Sequence, residues 1–146
     1  MTRSLPTHRD GHDLRWLLDQ LHERVLGVDM AVLLSADGLL LSSSSGMPIE
    51  LAEHLAATAS ALTGLARSAG RRFRRGAVHQ TAVEMDGGYL LVATAGQGTC
   101  LAVLTDADPD IGMIVYEMQL LVRRVGDHIG VAVRSREPSA TAQDRS

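Results

Sequence analysis

The sequence predicts an α/β chain of α+β type, in which a five-stranded, mainly antiparallel sheet carries two helices on one face and one on the other. Three observations lead there. Residues 77–104, AVHQTAVEMDGGYLLVATAGQGTCLAVL, hold three strand-like runs separated by glycine turns. Residues 29–43 hold two more around Ala36, Asp37 and Gly38, where an Asp-Gly pair supplies the positive backbone angles of a tight hairpin. Three further stretches repeat apolar residues at helical spacing.

Taken in order, the first helix is expected over 13–26, with Leu14, Leu17, Leu18, Leu21 and Val25 on one face and Gly27 at the C-terminal cap position. Hairpin strands follow at 29–35 and 39–43. Ser42, Ser43, Ser44, Ser45 and Gly46 read as a loop and helix-capping region. Pro48 then suits a first helical turn whose positive end Glu50 and Glu53 complement. This second helix should reach Ala69 and stop at Gly70. Leu51, Leu55, Thr58, Leu62, Leu65 and Ala69 form a stripe along it, thickened by Ala52, Ala56, Ala59, Ala61 and Ala66. Such small residues allow another helix to approach closely, although alanine is also the best helix former.

The meander strands are expected at 77–85, 89–95 and 100–104. The last helix takes Asp108 as its N-cap and Pro109 into its first turn. Its core face is Ile111, Ile114, Val115, Met118, Leu121, Val122, Val125 and Ile129. Residues 1–12 and 134–146 lack an apolar cluster able to offset the entropy of ordering, so flexible tails are expected around one domain at 13–133.

Composition narrows the class of function. With 146 residues and 45% hydrophobic content the chain can bury one good core. A net charge of −3 gives no general attraction to nucleic acid or anionic membrane. The single cysteine, Cys100, excludes an intrachain disulfide and a multi-cysteine zinc site, and fits a reducing compartment. Apolar runs such as 30–34 fall far short of the roughly 20 residues of a membrane span, and the polar start MTRSLPTHRDGHD holds no signal-peptide core. A soluble, cytoplasmic protein is expected.

Coverage of the sheet predicts assembly. The strands at 30–34, 89–95 and 100–104 are apolar on both faces, so both sides of the sheet need cover. Five strands about 4.8 Å apart span about 24 Å, whereas a helix is about 10 Å across. Two helices nearly cover one face; the third leaves the other open by more than one helix width. The strand at 77–85, with Gln80 and Glu84 on one face, is the best candidate for a sheet edge able to pair with its own copy. A homodimer is therefore expected, its interface drawn from Leu51, Leu55, Thr58, Leu62 and Leu65 of the second helix and Val78, Gln80, Ala82 and Glu84 of the edge strand.

Chemical motifs are scarce. No GxxxxGK[ST] phosphate loop is present, and Gly96-Gln97-Gly98 reads as a turn lacking the third glycine of a dinucleotide site. His8 and His12 have the spacing of a metal pair but lack a third ligand, and Cys100 is better read as a buried structural thiol than as a nucleophile partnered by His79. The serines have no G-x-S-x-G context. Neither catalytic, cofactor-binding nor metal-binding residues are expected, and no cofactor. The one charge run, Arg71, Arg72, Phe73, Arg74 and Arg75, reads either as a solvated helix end or as a binding surface; the acidic total charge favours an acidic protein over nucleic acid.

The order helix, hairpin, helix, three-stranded meander, helix resembles the Roadblock family of dynein light-chain type proteins. The resemblance covers about 14–128 and rests on GVDMAVLLSADGLLL at 27–41, the alanine-rich helix, VEMDGGYLLVATAGQGTCLAVL at 83–104 and IGMIVYEMQLLVRRVGDHI at 111–129. It is closest to small bacterial members of the actinobacterial, conservon-like kind. The resemblance implies a three-layer, profilin-like architecture and a non-catalytic homodimeric adaptor or regulator of a Ras-like small GTPase, as in the bacterial regulators of gliding polarity. Such a regulator could stimulate hydrolysis without an active site of its own. A histidine-kinase-like protein is the second implied partner, with membrane association only through partners. The alternative is a nucleic-acid-binding or small-ligand-sensing domain built on the arginine cluster.

Overall fold

The computed structural model describes residues 5–95 and 98–136. Its elements run α1 (Leu5–Arg24), β1 (Val28–Ser35), β2 (Leu40–Ser43), α2 (Ile49–Arg72), β3 (Gln80–Met85), β4 (Gly88–Ala95), β5 (Thr99–Thr105) and α3 (Ile111–Arg136). The strands form one sheet in the order β2-β1-β5-β4-β3, and every neighbouring pair is antiparallel. Hairpin and meander are thus joined through β1 and β5, with Ala31 opposite Val103 and Leu33 opposite Leu101.

Alternation along the strands divides the interior in two. Ala31, Leu33, Leu91, Ala93, Leu101 and Val103 point to one face, where Leu14, Leu17, Leu18, Leu21 and Val25 of α1 and Ile114, Met118, Leu121, Val122 and Val125 of α3 meet them. Val32, Leu34, Leu90, Val92, Cys100 and Ala102 point to the other, against Ala52, Leu55, Ala56 and Ala59 of α2. Two helices therefore cover one face and one covers the other, as expected. Alanine at three of these α2 positions seats the helix backbone close to the sheet. Ile129 lies outside the residues whose side chains are described.

The element ends depart from the sequence reading. α1 starts at Leu5 instead of near residue 13, so 5–12 continue the helical backbone; residues 1–4 and 137–146 lie outside the described ones. Gly27 makes the turn after α1 with φ 96°. α2 passes through Gly70 to Arg72: the chain returns so close that a Cβ at Gly70 would meet the Gly76 carbonyl oxygen at 2.5 Å, and the left-handed residue is Arg74, φ 57°. Gly70 permits that approach instead of ending the helix. α3 is capped by Asp110, whose Oδ1 accepts from the Met113 N–H at 3.2 Å, and not by Asp108. β3 starts at Gln80; the residues before it are tied through Thr94, which donates from its hydroxyl to the Val78 carbonyl at 2.9 Å. Among the described residues no helix is long and apolar enough to cross a membrane.

Candidate functional site

The sheet has two edges, and only one is protected. β2 is four residues long, its pairing with β1 shifts register at Leu33 and Leu34, and Arg15 Nε donates to the Ser43 carbonyl at 3.1 Å. The serine run closes this end. Ala31 donates its N–H to Ser44 Oγ at 3.1 Å, and Ser45 donates its N–H and hydroxyl to the Asp19 carboxylate at 2.8 and 2.6 Å. These serines tie β2 to β1 and α1; they do not cap α2, whose N-cap is Pro48 without a side-chain bond. β3 is the opposite edge, as expected. It is six residues long and bonded on one side to β4, so its outer backbone groups can template another strand.

The face beneath α2 continues to that edge as an apolar row. Met30 pairs with Leu104, Leu104 with Leu90, and Leu90 with Val83, so all four side chains share one face, with Met85 beyond them. Leu90 is buried, Met30, Leu104 and Val83 are half-buried, and Met85 is 46% exposed. On the same side of the sheet, α2 carries Leu51 and Leu65, 49% and 71% exposed, with half-buried Thr58 between them in sequence.

Among the expected interface residues, Leu51, Thr58 and Leu65 therefore form one line along α2, its two leucines exposed and its threonine half-buried. Leu55 is spent on the chain's own core, and Leu62 packs partly against the same cluster. Gln80, Ala82 and Glu84 are opposite Ala93, Leu91 and Tyr89, which puts them on the α1 and α3 face, away from the α2 line. Val78 lies before the strand and is half-buried. The expected set is thus divided between two faces that meet only at the β3 edge. Thr81, Val83 and Met85 share the α2 line's face and were missed; the alternation of QTAVEM separates them from Gln80 and Glu84, but the strand order decides which set faces α2. Across the edge, the Glu84 carboxylate beside Tyr89 raises its phenol above the ordinary range, with some burial adding to this.

Arg71, Arg72, Phe73, Arg74 and Arg75 are all exposed at the end of α2. Phe73 is the C-cap, its N–H donating to the Ala69 carbonyl at 2.9 Å, while its ring stays 67% exposed. An apolar ring amid four guanidinium groups is suited to an acidic surface with an apolar centre.

The reactive candidates are kept apart. Cys100 is buried on β5, and β4 lies between it and the His79 segment. Burial pushes its thiol up, with the Arg67 charge and the Thr63 hydroxyl working against that rise. The thiol is therefore held neutral. Thr63 Oγ1 is buried and lacks a hydrogen bond of ordinary geometry. Among the described residues, no three His, Cys, Asp or Glu side chains converge, and the side chains of His8 and His12 lie outside them. Gly96 and Gln97 also lie outside; Gly98, φ 77°, turns into β5. A groove between α1 and α3, of about 320 Å³, has Leu17, Leu21 and Leu120 in its lining and Arg24, Glu117 and Arg124 at its rim; Arg124 stands 6.0 Å from the Trp16 ring centre.

These features define a three-layer α+β domain whose distinguishing surfaces are an open sheet edge and an incompletely covered face. A Roadblock/LC7 domain from Streptomyces avermitilis superposes on it with a TM-score of 0.75 at 46% identity, covering 79% of this chain and 96% of that one. The gliding protein MglB from Thermus thermophilus shares the fold, with a TM-score of 0.70 at 13% identity, over 80% of this chain and 88% of that one. An uncharacterised protein of Methanocaldococcus jannaschii is 32% identical over 103 residues, covering 70% of this chain and 85% of its own length. The Roadblock/LC7 domain family model matches residues 14–105. The chain belongs to the Roadblock/LC7 family.

Proposed function

We propose that the protein is a non-catalytic homodimeric adaptor or regulator of a Ras-like small GTPase in a bacterial, cytoplasmic signalling system. The observation that carries the dimer is the half-covered sheet. Leu51, Thr58 and Leu65 of α2 and the row ending at Val83 and Met85 are on the same side of the sheet as each other, the row runs out to the open β3 edge, and a second copy would bring a matching helix and strand related by a two-fold axis. Family membership supports the GTPase as partner, as does the fold shared with a gliding protein. The basic patch from Arg71 to Arg75 supplies a surface complementary to acidic residues of such a partner, and a histidine-kinase-like protein is the second partner of this reading.

A regulator of this kind works by differential affinity: it binds one nucleotide state of the GTPase more tightly and shifts the population toward it. Immobilised protein is expected to retain a small GTPase from lysate of its own organism with GDP or a non-hydrolysable GTP analogue, but unequally with the two. Equal or absent retention overturns the regulator. Saturable binding of duplex DNA or RNA at low salt would instead support the nucleic-acid reading of the arginine cluster.

A further inference from the structure

A cleft of about 370 Å³ lies between the last turns of α2 and the segment entering β3, lined by Arg67, Arg71, Ala77, Val78, Thr94 and Gly98 among others. Its size is within the range of small-molecule sites. Its walls are fixed by the chain itself. Gly70 lets the segment after the Arg74 turn run back against α2, and the Thr94 hydroxyl pins that segment through the Val78 carbonyl at 2.9 Å. The backbone N–H groups of Ala77 and Val78 hydrogen-bond to no other described residue.

The charge in this cleft is unbalanced. Arg67 and Arg71 are one helical turn apart, so their like charges repel. Among the described residues no acidic side chain lines the cleft, and the ion pair among them, Arg24 with Glu117, is elsewhere. Arginines near a helix C-terminus commonly serve its free carbonyls. Here backbone N–H groups already serve three of them: Ala69 accepts from Phe73, Gly70 from Arg75 and Gly76, and Arg71 from Arg74. The two guanidinium groups are therefore not needed at those three carbonyls, and a bound dianion removes their repulsion.

We propose that this cleft binds the phosphate group of a small phosphorylated molecule, clamped between Arg67 and Arg71. A guanidinium fork matches two phosphate oxygens, two cations match a phosphomonoester dianion, and the apolar Ala77 and Val78 leave room for the organic part. The site shares Arg71 with the basic patch of the GTPase reading, but Arg67 and the cleft walls lie outside that patch, so phosphate binding can hold or fail without deciding that reading. Its position beside the start of β3 makes it a place where a ligand would stabilise the edge strand.

The test is an amide NMR titration of the full chain at low salt with inorganic phosphate and, separately, guanosine and adenosine 5′-monophosphate. Saturable shifts are expected at Val78, Thr94 and Gly98. Arg67→Gln and Arg71→Gln should each weaken binding about tenfold or more, and Arg75→Gln less than about twofold. Tighter binding of either monophosphate than of phosphate supports an organic ligand; equal binding limits the site to free phosphate and overturns the organic part. Absence of saturation, or an equal loss in Arg75→Gln, overturns the site and leaves only diffuse surface charge. Spectra of the variants confirm that each is folded.

Discussion

Gly70 and Gly64 sit on one helix, and their surroundings assign them opposite roles. A methyl at Gly70 meets the Gly76 carbonyl oxygen at 2.5 Å, whereas a methyl at Gly64 meets nothing within 4 Å. Gly70→Ala is therefore expected to destabilise the fold by about 1–3 kcal/mol because backbone must move. Gly64→Ala should stabilise it by about 0.5–1 kcal/mol through helix propensity alone. Denaturant midpoints at one fixed protein concentration check both; equal effects would show that the return of the chain onto α2 is not as described. Cys100 shows the same dependence on surroundings. Burial raises its thiol pKa, so the neutral form is kept near neutral pH, and the thiol's contribution to stability falls only as pH rises beyond its ordinary range. That protonation state fits a packing residue of the α2 core and not a nucleophile.

At the scale of elements, type was legible in the sequence and ends were not. The 3.6-residue spacing of Leu14 to Val25 and of Ile114 to Val125, and the two-residue alternation of β1, β4 and β5, identify helices and strands because one chain's own periodicity decides which face is apolar. Where α3 starts is decided elsewhere. Pro109 packs against the α1 turn, its Cβ 3.3 Å from where a Cβ would stand on Gly27, so it serves the loop wall and leaves Asp110 to cap. No local pattern separates Asp108 from Asp110 on either side of a proline. Asp110→Ala should cost about 1 kcal/mol, and Asp108→Ala less than about 0.5 kcal/mol, in thermal or denaturant unfolding. The candidate site was legible to the same degree. The edge strand and the α2 stripe could be read from composition, but which parity of β3 shares a face with α2 depends on the strand order, and the arginine cleft depends on the turn at Arg74.

For the whole molecule, the unequal sharing of helices between two apolar faces is the feature on which the proposed dimer rests. The α1 and α3 face has a closed core, while the α2 face runs out to Val83 and Met85 beside an edge with unused backbone groups. Exposed apolar surface next to an open edge invites aggregation unless a defined partner covers it, and a two-fold copy would cover both features at once. Light scattering should report two chains of 15.6 kDa at micromolar concentration. Leu65→Glu with Met85→Lys places charges in the surface to be buried and should weaken the dimer by about a hundredfold while leaving the monomer folded, since both side chains are exposed within one chain. Tyr116→Glu, on exposed α3 surface across the sheet, should leave the dimer intact. A wild-type chain that stays single, folded and soluble at these concentrations would mean that the α2 face tolerates water, and the case for a copy as its cover would fall. Equal weakening by Tyr116→Glu would move the interface to the other face of the sheet.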